Sequence, residues 1–237
     1  MAADKTKPFR NFLLNALSLA DRDALARDLT SVDLPRRAQL ELPNKKIEHV
    51  YFIETGIASV VASSGPGAPV EVGIIGHEGM SGLPVVHLAD RVPYAVYMQV
   101  AGSAQRVAAN AVRDLMARSL ESRRVFLAFA QGFLIQTAET AVANARATLT
   151  ERLARWLLMA QDRVEGDEIH LTHEFLSMMM GARRPGVTEA MNELERLDLV
   201  ATRRGAIMVV SRKGLETRAG KFYGLPEREL ARLLANR

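Results

Sequence analysis

Three pairs of adjacent basic residues, Arg183-Arg184, Arg203-Arg204 and Arg212-Lys213, fall within one short stretch of the chain. A guanidinium donates charge-assisted hydrogen bonds to phosphate and can bond a guanine edge at two points, so these pairs offer the chemistry of nucleic-acid recognition. Any one doublet taken alone is ordinarily a solvated surface. Around them stand Thr172, His173, Thr188 and Glu189. Hydroxyl and imidazole groups suit phosphate oxygens, while Glu189 either accepts from a cytosine amino group or orients a neighbouring arginine.

The elements that position these groups are legible in the spacing. Phe175, Leu176, Met179 and Met180 recur at helical intervals, and Gly181 stops the run where a left-handed residue is needed. A second periodic run, Val187, Ala190, Met191, Leu194 and Leu197, begins just after Arg183-Arg184. Helix, tight turn and helix is the form in which proteins present a recognition helix to the DNA major groove, the alternative being an ordinary αα-hairpin. Two short strands around Arg204-Gly205 follow and read as a β-hairpin wing. The doublets then open the second helix, sit at the wing tip and leave the wing, where each can face phosphate.

The 237 residues suit one large domain or two modest ones. Hydrophobic content of 48% with 24% charge is ordinary for a soluble globular protein, and the formal charge of +4 is too small for a polycation that coats nucleic acid indiscriminately. No cysteine is present, which removes disulfides, thiolate zinc sites and cysteine-held iron–sulfur clusters. The polar start, Met1 to Pro8, lacks a signal-peptide core, and the apolar stretch Val125 to Ala138 is too short to span a bilayer. A soluble, cytoplasmic protein without membrane contact is expected.

Residues Asn11 to Leu29 read as an amphipathic helical start. From about Val32 to Val107 short β-rich runs appear: Ile47–Ile53, Ile57–Ala62, Val70–Ile75, Tyr94–Val100 and Gln105–Ala108. Glycines between them, including Gly56, Gly65, Gly67 and Gly102, suggest turns of a sandwich or β-roll. From Val125 to Thr150 helix-compatible residues dominate. Phe126, Phe129 and Phe133 mark one stripe; Leu127, Ala130, Leu134, Ala138, Ala141 and Ala145 mark another. Two apolar stripes imply burial on two sides, one on the roll and one on a second copy of the same helix. The expected interface is Phe126, Phe129, Phe133, Leu134, Ala138, Ala141 and Ala145; a monomeric core helix is the alternative. A further helix, Thr150 to Ala160, is expected to open on a Thr150 cap, and the tail carries a short one from Glu227 to Ala235.

With these residues in view, the chain resembles the Crp/Fnr superfamily of bacterial transcription regulators over nearly its whole length. Three segments carry the likeness: His49 to Gly56, Leu149 to Leu158, and Leu171 to Met191 with its wing. The resemblance implies an α+β fold. It comprises an N-terminal cyclic-nucleotide-binding-like β-roll sensor (1–122), a long central dimerisation helix (123–147), and a C-terminal winged helix-turn-helix with its tail (148–237). It further implies a homodimer on a two-fold-related double-stranded DNA site, with RNA polymerase as a partner. Arg184 matches the family arginine that reads a guanine edge, and Thr172 matches a phosphate-contacting threonine. His173, Arg183, Gly186, Thr188, Glu189, Arg203 and Arg204 complete the expected DNA-facing set. Pro185 and Glu189 stand where the family's usual glutamate and second arginine do, so the resemblance does not carry over a target sequence.

The sensor half departs further. Family members that bind cyclic AMP carry a Gly-Glu pair and a later Arg-Ser or Arg-Thr. Here Gly79 to Val86 and Val92-Pro93-Tyr94-Ala95 stand in that region, without the arginine that would neutralise a cyclic phosphate. An effector other than cyclic AMP is expected, with Gly79, Ser81, Gly82 and Tyr94 as the candidate pocket; a ligand-binding roll without DNA activity is the alternative function. His170 and His173 lie three apart but lack carboxylate partners at metal spacing, and neither His77-Glu78 nor His173-Glu174 completes a zincin motif. No nucleophile elbow, phosphate loop or dinucleotide fingerprint occurs, so no enzyme, metal or cofactor is expected.

Overall fold

In a computed structural model, residues 9–63, 69–171 and 173–235 are described. The expected turn at Gly65-Pro66-Gly67 lies outside them. The chain opens with two helices, α1 (Phe12–Ala16) and α2 (Leu19–Ala26), instead of one. The break has a local cause: Ser18 accepts from Asp21 N and starts the second helix afresh. Asn11 caps α1 and its amide donates to Ile53 O and Gly79 O at 2.8 and 2.7 Å, fixing the start of α1 to the sheet beneath.

That sheet contains β1 (Thr30–Leu34), β2 (Gln39–Glu41), β3 (His49–Ala62) and β4 (Val70–Ile75), followed after the short helix α3 (Leu83–Val86) by β5 (Ala95–Ala108). The strand order is β1-β5-β3-β4, with β2 also on β5, all antiparallel. The sequence suggested shorter strands. Ile47–Ile53 and Ile57–Ala62 lie in one strand, as do Tyr94–Val100 and Gln105–Ala108, because Gly56 and Gly102 mark bulges rather than turns. The register shifts between Ile53 and Ala58, and a Cβ at Gly56 would meet Val100 O at 2.6 Å. The bends let one half of the β3–β5 pair carry β1 while the other carries β4 and β2, giving a roll. β1 and β2 escaped the sequence reading: their exposed polar residues show little apolar alternation.

Helix α4 (Ala109–Arg118) leads into α5 (Leu120–Arg146), whose cap Ser119 and first-turn Ser122 both donate to Asp21. The expected boundary at 122/123 falls inside the first turn of α5. At 27 residues α5 is long and apolar enough, by length and composition alone, to cross a membrane, which corrects the shorter span read from sequence. Its phenylalanine stripe is committed elsewhere: Phe126 is 0% exposed and packs with its ring centre 6.1 Å from that of Phe52, and Phe129 lies on Gly79. Gln136, unusual on such a helix, uses its amide like a strand residue. It accepts from Ile74 N and donates to Ile74 O, closing the edge of β4.

The C-terminal half begins with α6 (Leu149–Gln161). Its cap is Thr148, not Thr150, with Glu151 completing a capping box. Then come β6 (Glu168–Ile169), α7 (His173–Met180), α8 (Arg184–Arg196), β7 (Val200–Arg203), β8 (Ala206–Val209), α9 (Arg212–Ala219), a single 3-10 turn (Gly220–Phe222) and α10 (Leu225–Ala235). The second sheet has order β6-β8-β7, so the expected wing gains a third strand. The two halves share apolar core: Ile57, Ile74 and Val100 of the roll pack with Leu157, Leu176 and Met179. Between them Trp156 Nε1 donates to the buried Glu71 at 2.6 Å, and Tyr97 Oη donates to Met178 Sδ.

Candidate nucleic-acid interface

The turn between α7 and α8 forms as its residues require. Gly181 takes φ +55°, open to glycine at little cost, and Pro185 sits in the first turn of α8, where its missing N–H is no loss. Val187, Ala190, Met191 and Leu194 bury one face of α8. Two carboxylates fix its flank: Glu193 accepts from Thr150 Oγ1 at 2.6 Å and pairs with Arg218, and Glu195 accepts from Thr202 N at 2.8 Å. The first ties α8 to α6 and α9, the second to the wing strand β7.

What remains outward is Arg184, Pro185, Glu189, Asn192 and Arg196, with Gly186 and Thr188 half-buried beside them. Thr188 Oγ1 donates back to Arg184 O at 3.0 Å. Gly186 faces Leu149, so its role is close approach to α6. Arg183 caps α8 with its side chain exposed, and Arg203 and Arg204 stand exposed at the hairpin tip, where Arg203 pairs with Ala206. Among the described residues none of Arg183, Arg184, Glu189, Arg203 or Arg204 forms an ion pair. Thr172 lies outside the described residues. His173 opens α7; its side chain is likewise outside them. Asn192 and Arg196 were missed by the sequence reading, although they continue the row Arg184, Thr188 at four-residue steps on the same helix face.

The third basic doublet does not join this surface. Arg212 binds Asp162 at 2.8 Å, Tyr223 Oη at 2.6 Å and Glu216 at 3.1 Å. Burial works against its charge, but Asp162 and Tyr223 outweigh that and raise its pKa. It is a bracket within the C-terminal half. Lys213 beside it is exposed.

Helix α5 separates its two stripes. Phe126, Phe129 and Phe133, expected at an interface between copies, instead face this chain's own roll, with Phe133 against Gly73. The opposite face is Leu127, Gln131, Leu134, Ala138, Ala141 and Ala145, every one exposed, and Leu134 by 60%. Their steps of four and three residues are the a/d spacing of a coiled-coil seam. Ala130, placed in this stripe by the sequence reading, is buried.

The candidate effector pocket is filled by the chain itself. Gly79 lies under Phe129, and Ser81 is fully buried, accepting from Tyr51 N at 3.1 Å. Gly82 N donates to Glu41 Oε1 at 2.6 Å, and the half-buried Tyr94 adjoins the same carboxyl. Burial pushes Glu41 up to about 7, against the Gly82 hydrogen bond. An acidic side chain thus occupies one backbone donor at the start of α3. No group of three or more His, Asp or Glu residues that could hold a metal occurs among the described residues.

Comparison with known proteins bears on this arrangement. Residues 151–218 match the Crp-like helix-turn-helix domain family. A solved transcriptional regulator assigned to the Crp/Fnr family, from Eubacterium rectale ATCC 33656, superposes with a TM-score of 0.68 at 17% identity, covering 88% of this chain and 97% of that one. A Crp-family regulator from Thermus thermophilus gives 0.66 at 18% identity, covering 80% and 97%. FixK2 from Bradyrhizobium japonicum gives 0.66 at 17% identity, covering 81% and 98%. No curated protein sequence matches significantly. The chain therefore has the Crp/Fnr regulator fold over most of its length and carries a Crp-like helix-turn-helix domain at residues 151–218.

Proposed function

We propose that the protein is a homodimeric transcription regulator whose two α8 helices enter major grooves of a two-fold-related DNA site. One observation carries this reading: Arg184, Asn192 and Arg196 on one face of α8, with Arg203 and Arg204 on the wing, point outward without ion pairs among the described residues, while Glu193 and Glu195 hold the helix from behind. A row of donors on a braced helix suits base edges, and the basic wing tip suits phosphate. The exposed seam from Leu127 to Ala145 supports pairing of two chains, and a DNA target agrees with a cytoplasmic location. Cyclic AMP is not the effector in this reading, because its phosphate would meet the Glu41 carboxyl where it needs a cation.

Selection of bound sequences from a random DNA pool, followed by gel shifts at several salt concentrations, tests the assignment. Arg184→Ala is expected to cost roughly 1–3 kcal/mol on the selected site and to relax choice at one base pair per half-site. Arg203→Ala is expected to weaken selected and random sites equally and to lower the salt slope by about one per subunit. If Arg184→Ala leaves sequence preference intact while Arg203→Ala changes it, the roles of helix and wing are reversed.

A further inference from the structure

A cleft of about 480 Å³ lies where the roll, α5 and the C-terminal elements meet. Small-molecule sites usually measure about 300–1,000 Å³ and bring a few polar groups into an apolar lining. Here Phe129 and Phe133 of α5 face Leu230 and Leu234 of α10, with Phe12 of α1 completing the apolar wall. None of the candidate pocket residues Gly79, Ser81, Gly82 and Tyr94 lines it.

The polar side of the cleft is unevenly satisfied. Arg163 binds Glu78 at 2.8 Å and Arg212 binds Asp162 at 2.8 Å, so both lining arginines have partners. Among the described residues both carboxylate oxygens of Glu227 are buried without a hydrogen-bond partner, and so is Nδ1 of His77. Arg155 and Arg163 act on Glu227 electrostatically, yet their donors go elsewhere: Arg155 to Phe222 O and Thr140, Arg163 to Glu78 and Met159 O. Among the residues that line the cleft, Glu78, Asp162 and Glu227 stand against Arg163 and Arg212, so the lining is slightly acidic. An unmet buried acceptor is costly, and a donor supplied by a ligand would recover that cost.

We propose that this cleft is an effector site for a small aromatic or aliphatic amine, its apolar body against Phe129, Phe133 and Leu230 and its ammonium group at Glu227. Such a ligand touches the roll, the α5 helix and the DNA-binding half together, so its binding energy can set how they are held. Its role as an effector rests on the DNA-binding reading; the binding itself does not. Calorimetry on the full chain uses 2-phenylethylamine as probe, with 3-phenylpropionate as the charge-reversed control and 2-phenylethanol as the neutral one. Saturable binding of one amine per chain is expected, with no saturation by the carboxylate. Glu227→Gln is expected to lose roughly tenfold or more in amine affinity while changing the alcohol little. Ala231→Trp, which fills the cleft from α10, is expected to abolish amine binding; thermal unfolding confirms that both variants fold. No saturation by the amine at millimolar concentration, equal affinity in Glu227→Gln, or preference for the carboxylate overturns the proposal. Gel shifts with and without amine then report the effect on DNA, so a failure of the DNA reading leaves the binding result intact.

Discussion

Replacing Glu71 with glutamine is expected to stabilise the protein above neutral pH and leave it little changed in mild acid. Glu71 is fully enclosed between Ser59 of the roll and Trp156 of α6, with Gln99 beyond Ser59. Burial is the main cause that pushes its carboxyl up to about 7, against the Ser59 and Trp156 hydrogen bonds and the attraction of Arg155 and Arg163. The folded chain therefore holds this proton more tightly than the unfolded one, whose carboxyl titrates near the ordinary glutamate value of 4.5. Below that value both states are protonated and the contribution to stability is complete. As pH rises toward about 7 the unfolded chain releases its proton first, stability falls, and above about 7 the loss is finished. At about 1.4 kcal/mol per pH unit the total is roughly 3 kcal/mol. A glutamine at this position imitates the neutral acid, donating to Ser59 and accepting from Trp156, so the variant lacks this loss. Trp156 is the one tryptophan in the chain, and its fluorescence during denaturant unfolding reports on this contact. The curves of wild type and Glu71→Gln are expected to converge below about pH 4.5 and separate toward pH 8. Glu41, also raised to about 7, adds a loss of the same sign to both and leaves their difference unchanged. A constant difference across that range, or a less stable variant at pH 8, refutes the reasoning.

Leu134→Glu with Ala141→Glu places four carboxylates in the paired seam and is expected to give monomers by sedimentation, with DNA affinity lost. A wild-type mass of one chain at micromolar concentration overturns the dimer. Calorimetry with cyclic AMP and cyclic GMP is expected to show no saturable heat; micromolar binding of cyclic AMP that also tightens DNA binding counts against the Glu41 argument. Phe126→Ala removes a fully buried ring packed on Phe52 and is expected to cost about 3–5 kcal/mol in denaturant unfolding. A cost below about 1 kcal/mol shows that this stripe is not core.

What the sequence determined by itself lies within a few residues of its signal. Helical spacing on either side of Gly181, Pro185 in a first turn and the Arg204-Gly205 hairpin are local preferences of backbone and side chain, and the helix-turn-helix and its wing follow from them. The tertiary structure decided the matters that depend on residues far apart in the chain. A basic doublet carries no mark of its partner: Arg203-Arg204 stays open to solvent, while Asp162 and Tyr223 capture Arg212. A strand glycine does not say whether it turns the chain or admits a neighbouring carbonyl, so Gly56 and Gly102 became visible as bulges only with β3 and β5 paired. Two apolar stripes on one helix announce two partners without naming them. The roll takes the phenylalanines because Gly73 and Gly79 leave room for the rings, and the smaller residues remain for another surface. Nothing beside Glu71 or Glu41 in the sequence sets them apart from the other acids. Their titration is set by burial among strands and helices tens of residues away, which no local pattern encodes.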